Sequence, residues 1–185
     1  FNKYFKFYLV SLFFFSVIYL INKHDVVNDS TISEWLINYT GGFTKRGIIG
    51  QISILTANYF ESNLRDVVLI YQIILIGVYL FLVHKLTLNL KTNRIIVLSL
   101  YTPIFLLYPV AEIEVLARKE VFIFCIFIIY IFLNSSISQN LYKLFFLPIA
   151  ILIWEPVILY FLFFFVVDII KNNVEKINKK FFLSL

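Results

Sequence analysis

The chain has 185 residues, 61% hydrophobic, 19% aromatic and only 15% charged, with a formal net charge of +5. Soluble domains hold roughly 45–50% apolar residues, so this composition and a mean hydropathy of +0.90 exclude an ordinary soluble domain and point to lipid. The basic excess reads as the cytoplasmic Lys and Arg that set membrane orientation, and with no soluble basic segment nucleic acid is not an expected partner. The single Cys125 excludes an intrachain disulfide.

The first apolar run predicts a membrane helix over 5–21. Its apolar core is longer than a signal sequence needs and no small-x-small cleavage site follows, so it is read as retained. Residues 22–63 form an expected extracytoplasmic loop with structure of its own. Thr31-Ile32-Ser33-Glu34 matches a capping box, predicting a short helix to about Tyr39 that stops at Gly41-Gly42. Thr44 is the expected cap of a second, moderately amphipathic helix to about Phe60, suited to lying at the interface. Further spans are predicted over 64–84, 95–110 and 114–133, the last opened by a Glu114–Arg118 pair one turn apart.

Residues 141–168 read either as one long tilted helix or as two half-helices, 141–154 and 156–168, meeting at Trp154-Glu155-Pro156. Pro156 disfavours helical geometry at Glu155 and removes a backbone donor. Charge favours the hairpin. With a cytoplasmic N-terminus, Lys3, Lys6, Lys85, Lys91, Arg94 and Lys143 lie inside, and only a hairpin returns Lys171, Lys176, Lys179 and Lys180 to that side. The expected fold is all-α: a polytopic transmembrane helix bundle of five to six membrane helices with interfacial helices in the first external loop, forming a single membrane domain. The absence of Met and the apolar 181–185 ending give the expectation that this is a piece of a longer protein.

Charge next to lipid-grade sequence is costly to desolvate, so three clusters are candidate sites. In Thr40-Gly41-Gly42-Phe43-Thr44-Lys45-Arg46-Gly47, Gly41 and Gly42 are expected to turn backbone N–H groups into an anion nest, while Lys45 and Arg46 supply phosphate-binding charge. The plain alternative is a helix-turn-helix turn resting on phospholipid. In the Glu112–Glu120 stretch, Arg118 and Lys119 are candidate anion ligands, or parts of a self-compensating ion-pair cap. Glu155, flanked by Trp154 and Pro156, is a candidate general base, a coupling group, or half of a structural pair. Asp25, Asp29 and Glu34, in the external loop, are each a candidate catalytic acid, with plain solvation the alternative.

The layout of a first helix, an acidic external loop with interfacial helices and a bundle of uneven helices resembles the GT-C class of membrane glycosyltransferases. The Gly41-Gly42-Phe43-Thr44-Lys45-Arg46-Gly47 turn, Ala117-Arg118-Lys119-Glu120 and Trp154-Glu155 are similar to motifs of membrane proteins in surface-polysaccharide clusters, where Arg stands at the Lys45 position and His at the Trp154 position. The resemblance implies extracytoplasmic glycosyl transfer or glycan polymerisation from a polyprenyl-phosphate-linked sugar, with membrane lipid and a lipid-linked sugar phosphate as partners. It implies Asp25, Asp29 or Glu155 as base, with Gly41, Gly42, Lys45, Arg46, Arg118 and Lys119 around the phosphate and a divalent metal as an optional cofactor. The adjacent acidic pair usual in the class is missing. The rival readings are a transporter or lipid-linked glycan flippase built around a buried Glu155, and a non-catalytic assembly subunit. Transfer predicts that Lys45 or Arg46 comes within about 10 Å, one Debye length, of Arg118 or Lys119, and that Glu155 turns toward that basic pair. Transport predicts charges lining a path between the two faces.

Overall fold

The computed structural model describes residues 2–26, 30–88, 93–102, 106–111, 115–133 and 136–183, and their side chains except at 2, 111, 136, 161 and 172–183. The described residues are helical, with no strand among them. Helix α1 (Asn2–His24) runs antiparallel to α4 (Leu64–Thr87): His24 meets Gln72, and Phe13 lies against Gly77. Asn63 starts α4 by accepting the Arg65 backbone N–H at 3.0 Å, satisfying one of the donors that a helix N-terminus leaves open.

Helix α4 is the centre of the molecule. Val68, Ile76, Tyr79 and Val83 form a fully buried stripe at helical spacing, joined by Leu9 and Leu20 of α1 and by Val121, Cys125 and Ile128 of α7 (Glu120–Phe132). Between α4 and α7 lie α5 (Arg94–Tyr101) and α6 (Tyr108–Ala111). A single helix over 95–110 is therefore not what forms. Thr102 is extended, with φ −90° and ψ 143°, as expected before Pro103, whose ring disfavours α geometry in the preceding residue. The helix expected from 114 instead starts at Glu120; Val115–Ala117 form a turn, with Ala117 left-handed at φ 57°. Glu114 lies outside the described residues, as do Asp29 and Glu112.

Helices α8 (Ser136–Ile153) and α9 (Val157–Leu183) are a hairpin broken at Trp154-Glu155-Pro156. Ala150 and Val157 pack together near its tip, while Tyr142 with Phe164 and Lys143 with Asp168 meet near its base. Both arms are longer than the expected 141–154 and 156–168, the first starting at 136 and the second running to 183. Helices α1 and α4 also extend past 5–21 and 64–84. Among the described residues two helices, Lys3–His24 and Leu64–Thr87, are long and apolar enough to cross a membrane; Glu120–Phe132 and Ile137–Ile153 are apolar but shorter.

Two short helices occupy the first loop. Helix α2 (Ser30–Trp35) ends four residues before Tyr39 and contains Thr31, so Thr31 is no cap. Helix α3 (Ile48–Tyr59) begins after Gly47 without a side-chain cap; Thr44 instead donates to the Asn38 carbonyl at 2.9 Å. Helix α3 is pressed directly onto the turn after α2. A Cβ on Gly50 would sit 2.0 Å from the Ile37 carbonyl oxygen and 3.0 Å from that of Trp35. Neither neighbour is a flexible side-chain end, so Gly50→Ala must push α3 away. The expected outcome is a loss of roughly 1–3 kcal/mol or more, measured as thermal unfolding of the detergent-solubilised protein; a Gly50→Ala variant as stable as the parent would contradict this packing.

Candidate functional site

The loop from Asn38 to Gly47 is held in shape by its own polar groups. The Asn38 side chain accepts from the Thr40 backbone N–H at 2.9 Å and from the Thr40 hydroxyl, and the Gly42 N–H closes a turn on the Tyr39 carbonyl at 3.1 Å. Gly42 is at φ 115°, a conformation that disfavours a side chain. The Thr40 and Gly42 N–H groups are thus spent inside the turn rather than offered to an anion. Gly41 and Gly42 shape the loop, and the charge it offers is that of Lys45 and Arg46. Tyr39 and Phe43 stack at 5.7 Å with rings 8° apart, fixing the loop from its apolar side.

Arg46 is left-handed at φ 66°. Its carbonyl accepts a hydrogen bond at 2.8 Å from the ammonium of Lys119, which is only 1% exposed. The same two segments are tied a second time. Trp35, fully buried, donates its indole N–H at 2.9 Å to the carbonyl of Ala117, which is left-handed as well. Each strained residue is held by a buried side chain from across the contact. Lys119 therefore acts as a strut that fixes the loop; it is too buried to be an open anion ligand.

Around this clasp the structure gathers alternating charges. Arg118 lies 3.4 Å from Glu34 and 3.1 Å from Glu120, and Arg46 lies 4.0 Å from Glu155. Phe43, Lys45 and Arg46 face Ile151, Glu155 and Ile158 across a cleft of about 220 Å³ between the loop and the α8–α9 tip. Lys45 is fully on the surface and Arg46 half-buried at the cleft. Beside it, a second cavity of about 380 Å³ is almost wholly apolar, walled by Ile48 and Ile52 of α3, Tyr71 and Leu75 of α4, Phe122 of α7 and Ile153 of α8.

The expected convergence of the 45–46 and 118–119 pairs is present, through the Lys119–Arg46 bond. The expected partner of Glu155 is not: its cation is Arg46 rather than Arg118 or Lys119. Asp25 stands exposed on the turn after α1, and no hydrogen bond or ion pair joins it to this cluster among the described residues. Glu34 takes that place instead. In sequence it was one loop acid among several; only the fold, by setting α2 against residues 115–120, brings it to Arg118. Among the described residues no three of His, Cys, Asp and Glu gather to hold a metal ion. Compared with known proteins, the chain matches no family model, and no curated protein or solved structure is detectably similar to it.

Burial pushes the Lys119 ammonium down to about 8 from its ordinary 10.5, against the opposing pull of Glu34 and alongside the push of Arg46. A lysine that loses its proton more easily folded than unfolded holds stability back while it is charged. The penalty is full below about 8 and lifts as pH rises toward 10.5. Wild type is therefore expected to gain stability over this window relative to Lys119→Met, read as the difference between the two melting temperatures against pH. A flat difference would mean that Lys119 titrates normally. Trp35→Phe leaves the buried Ala117 carbonyl without its donor, and is expected to cost about 1–3 kcal/mol in denaturant unfolding.

Proposed function

We propose that this chain is a multi-pass membrane protein, N-terminus cytoplasmic and residues 22–63 extracytoplasmic, that takes part in glycosyl transfer or glycan polymerisation from a polyprenyl-phosphate-linked sugar. The membrane reading is supported by the extent of apolar surface, together with a few polar groups held inside. Phe15 is 72% exposed and Leu159 75%, and Phe7, Leu162 and Ile70 are also exposed, whereas Gln72, Ser53 and Lys119 are buried. Exposed apolar surface of this extent belongs against lipid, and buried polar groups belong where protein can satisfy them. The positions of Lys6, Lys85, Lys143 and Lys171 at one end of the bundle, opposite the 22–63 segment, agree with the positive-inside tendency.

The observation that carries the function is the cleft at Arg46 and Glu155, with an apolar cavity alongside. A cation beside a carboxylate, next to space for hydrocarbon, suits a lipid phosphate that must be bound and then released from a sugar. Lys45 and Arg46 hold the phosphate, with Arg118 as a further charge nearby. Glu155, or Glu34 if the acceptor approaches from that side, takes the proton of the acceptor hydroxyl. The acceptor oxygen bonds to the anomeric carbon as the bond from that carbon to the phosphate oxygen breaks. The lipid phosphate departs with the electron pair, its charge stabilised by Arg46.

Transfer is favoured over transport by where the charges lie. They collect at the two ends of the bundle, around Arg46 at one and around Asp168 at the other, and between them the α7–α8–α9 interior is Ile123, Ala150 and Val157. In the full-length protein, Glu155→Gln is expected to lower transfer by roughly 10²–10⁴-fold and Arg46→Gln by roughly 10²–10³-fold, both with normal membrane insertion. The assay is incorporation of labelled sugar from a polyprenyl-linked donor in membranes. Wild-type transfer by the Glu155→Gln protein would remove Glu155 from the reaction.

A further inference from the structure

At the end of the bundle opposite the Arg46 cleft, α1 and α4 part to leave a cavity of about 300 Å³. It is built from two matched stripes. Lys6, Leu9 and Phe13 on α1 face Gly77, Leu80 and His84 on α4, residues spaced so that each set lies on one side of its helix. The antiparallel pairing that sets Phe13 on Gly77 also sets Lys6 at the same end as His84, seven residues along each helix. The notch exists because position 77 carries no side chain: a Cβ there would already touch the Phe13 ring at 3.4 Å.

The floor is apolar and buried, with Leu9 at 4% and Leu80 at 5% exposure, while the rim residues Val10 and Phe81 are exposed. The cavity is therefore open sideways, to whatever surrounds the helices. Its mouth is positive. Lys6 is exposed, Lys85 lies over the Phe81 ring at 4.9 Å, and the buried His84 Nδ1 has no hydrogen-bond partner among the described residues. No acid opposes them in sequence: residues 1–24 and 67–111 contain no Asp or Glu.

We propose that this notch is a binding site for an anionic phospholipid, one acyl chain lying in the Leu9–Phe13–Gly77 groove and the phosphate between Lys6 and His84. The shape selects a chain, because the walls are apolar, narrow and open to the hydrocarbon side. The charge selects an anionic headgroup over a zwitterionic one, as basic pockets between membrane helices do on the cytoplasmic side. A soluble anion has no use for the groove, and a neutral lipid has none for the cations. The site rests on the membrane reading but not on the proposed reaction, and it lies at the other end of the molecule from the Arg46 cleft.

The test is native mass spectrometry of the full chain released from nanodiscs made of equal parts phosphatidylglycerol and phosphatidylcholine. Wild type is expected to retain one phosphatidylglycerol in preference to phosphatidylcholine. Lys6→Gln should lower that preference by roughly fivefold, for a full charge lost near the headgroup, and His84→Leu should lower it as well by removing the ring nitrogens from the phosphate, while Lys3→Gln at the same end leaves it unchanged. Gly77→Leu fills the groove and should remove the retained lipid. Val10→Trp fills it from the exposed rim and gives the same result without touching the α1–α4 contact. Equal retention of the two lipids by wild type would overturn the proposal. So would an equal loss in Lys3→Gln, which would mean diffuse surface charge, or full retention in Val10→Trp. Failure of the protein to enter nanodiscs at all would instead overturn the membrane reading, and loss of glycosyl transfer with intact lipid retention would leave this site standing.

Discussion

Two hydrogen bonds from buried side chains decide the geometry of the candidate site. Lys119 holds the Arg46 carbonyl and Trp35 holds the Ala117 carbonyl, so the segments 35–47 and 117–119 are locked to each other in both directions. Both acceptors belong to left-handed residues, a backbone state that costs a non-glycine residue about 1–2 kcal/mol. Such a state persists where surrounding contacts over-determine it. Here the contacts are specific donors in a dry setting, where an unmade bond is expensive. The left-handed turn at Arg46 aims its side chain at Glu155, and the turn at Ala117 ends the approach to α7 with Arg118 facing Glu34. One clasp therefore places four of the charged groups that matter.

The rest of the molecule sets an apolar exterior around an interior that is itself mostly apolar but holds a few polar groups. Helix α4 carries both. Its outer face presents Ile70, Ile74 and Phe81, and its inner face buries Gln72 against His24 at 2.8 Å. In the proposed membrane setting the outer face would cost nothing, and the buried polar pair would act as an adhesive between α1 and α4. The same logic applies at the hairpin base. Asp168 receives Lys143 at 2.8 Å and the Tyr130 hydroxyl, while Lys171 donates to the Leu133 carbonyl at 2.6 Å. Every charge there meets a partner, which lets an acid sit on a helix whose neighbours are Phe163, Phe165 and Val166.

The elements that were legible in sequence are those set by a single dominant cause. Pro156 and the basic tail foretold the break and the return of α9, and hydropathy foretold α1 and α4 to within a turn at each end. The misses have causes of their own. Pro103 carries the same signal as Pro156, but the apolar run on both sides of it read as continuous, and the helix divides there. The Glu114–Arg118 spacing suggested a helical pair, yet the left-handed Ala117 between Glu114 and Arg118 comes from a tertiary bond to Trp35 that no local pattern encodes. Thr44 has the chemistry of a cap and uses it on the Asn38 carbonyl. For the site, the residue types were legible and their pairing was not. Lys119 looked like an exposed ligand and is a strut; Glu34 looked solvated and faces Arg118. Which acid meets which base depends on how α2, α3 and the α8–α9 tip pack, and that packing is long-range.

The hairpin is fastened unequally, and this bears on how the cleft works. At its base the Lys143–Asp168 pair is 2.8 Å apart and reinforced by Tyr130. At its tip the Arg46–Glu155 pair is 4.0 Å apart, with about a third of each side chain exposed. A pair of that length and exposure is worth at most about 1 kcal/mol, so it does little to hold α8 and α9 in place. Its weakness leaves Arg46 available. In the proposed reaction a lipid phosphate would offer Arg46 a charge-assisted, bidentate contact that the distant carboxylate does not, and in taking Arg46 it would leave Glu155 without its cation. On that proposal, binding of the anion and release of the acid would be one event, set by the exchange of partners on a single guanidinium.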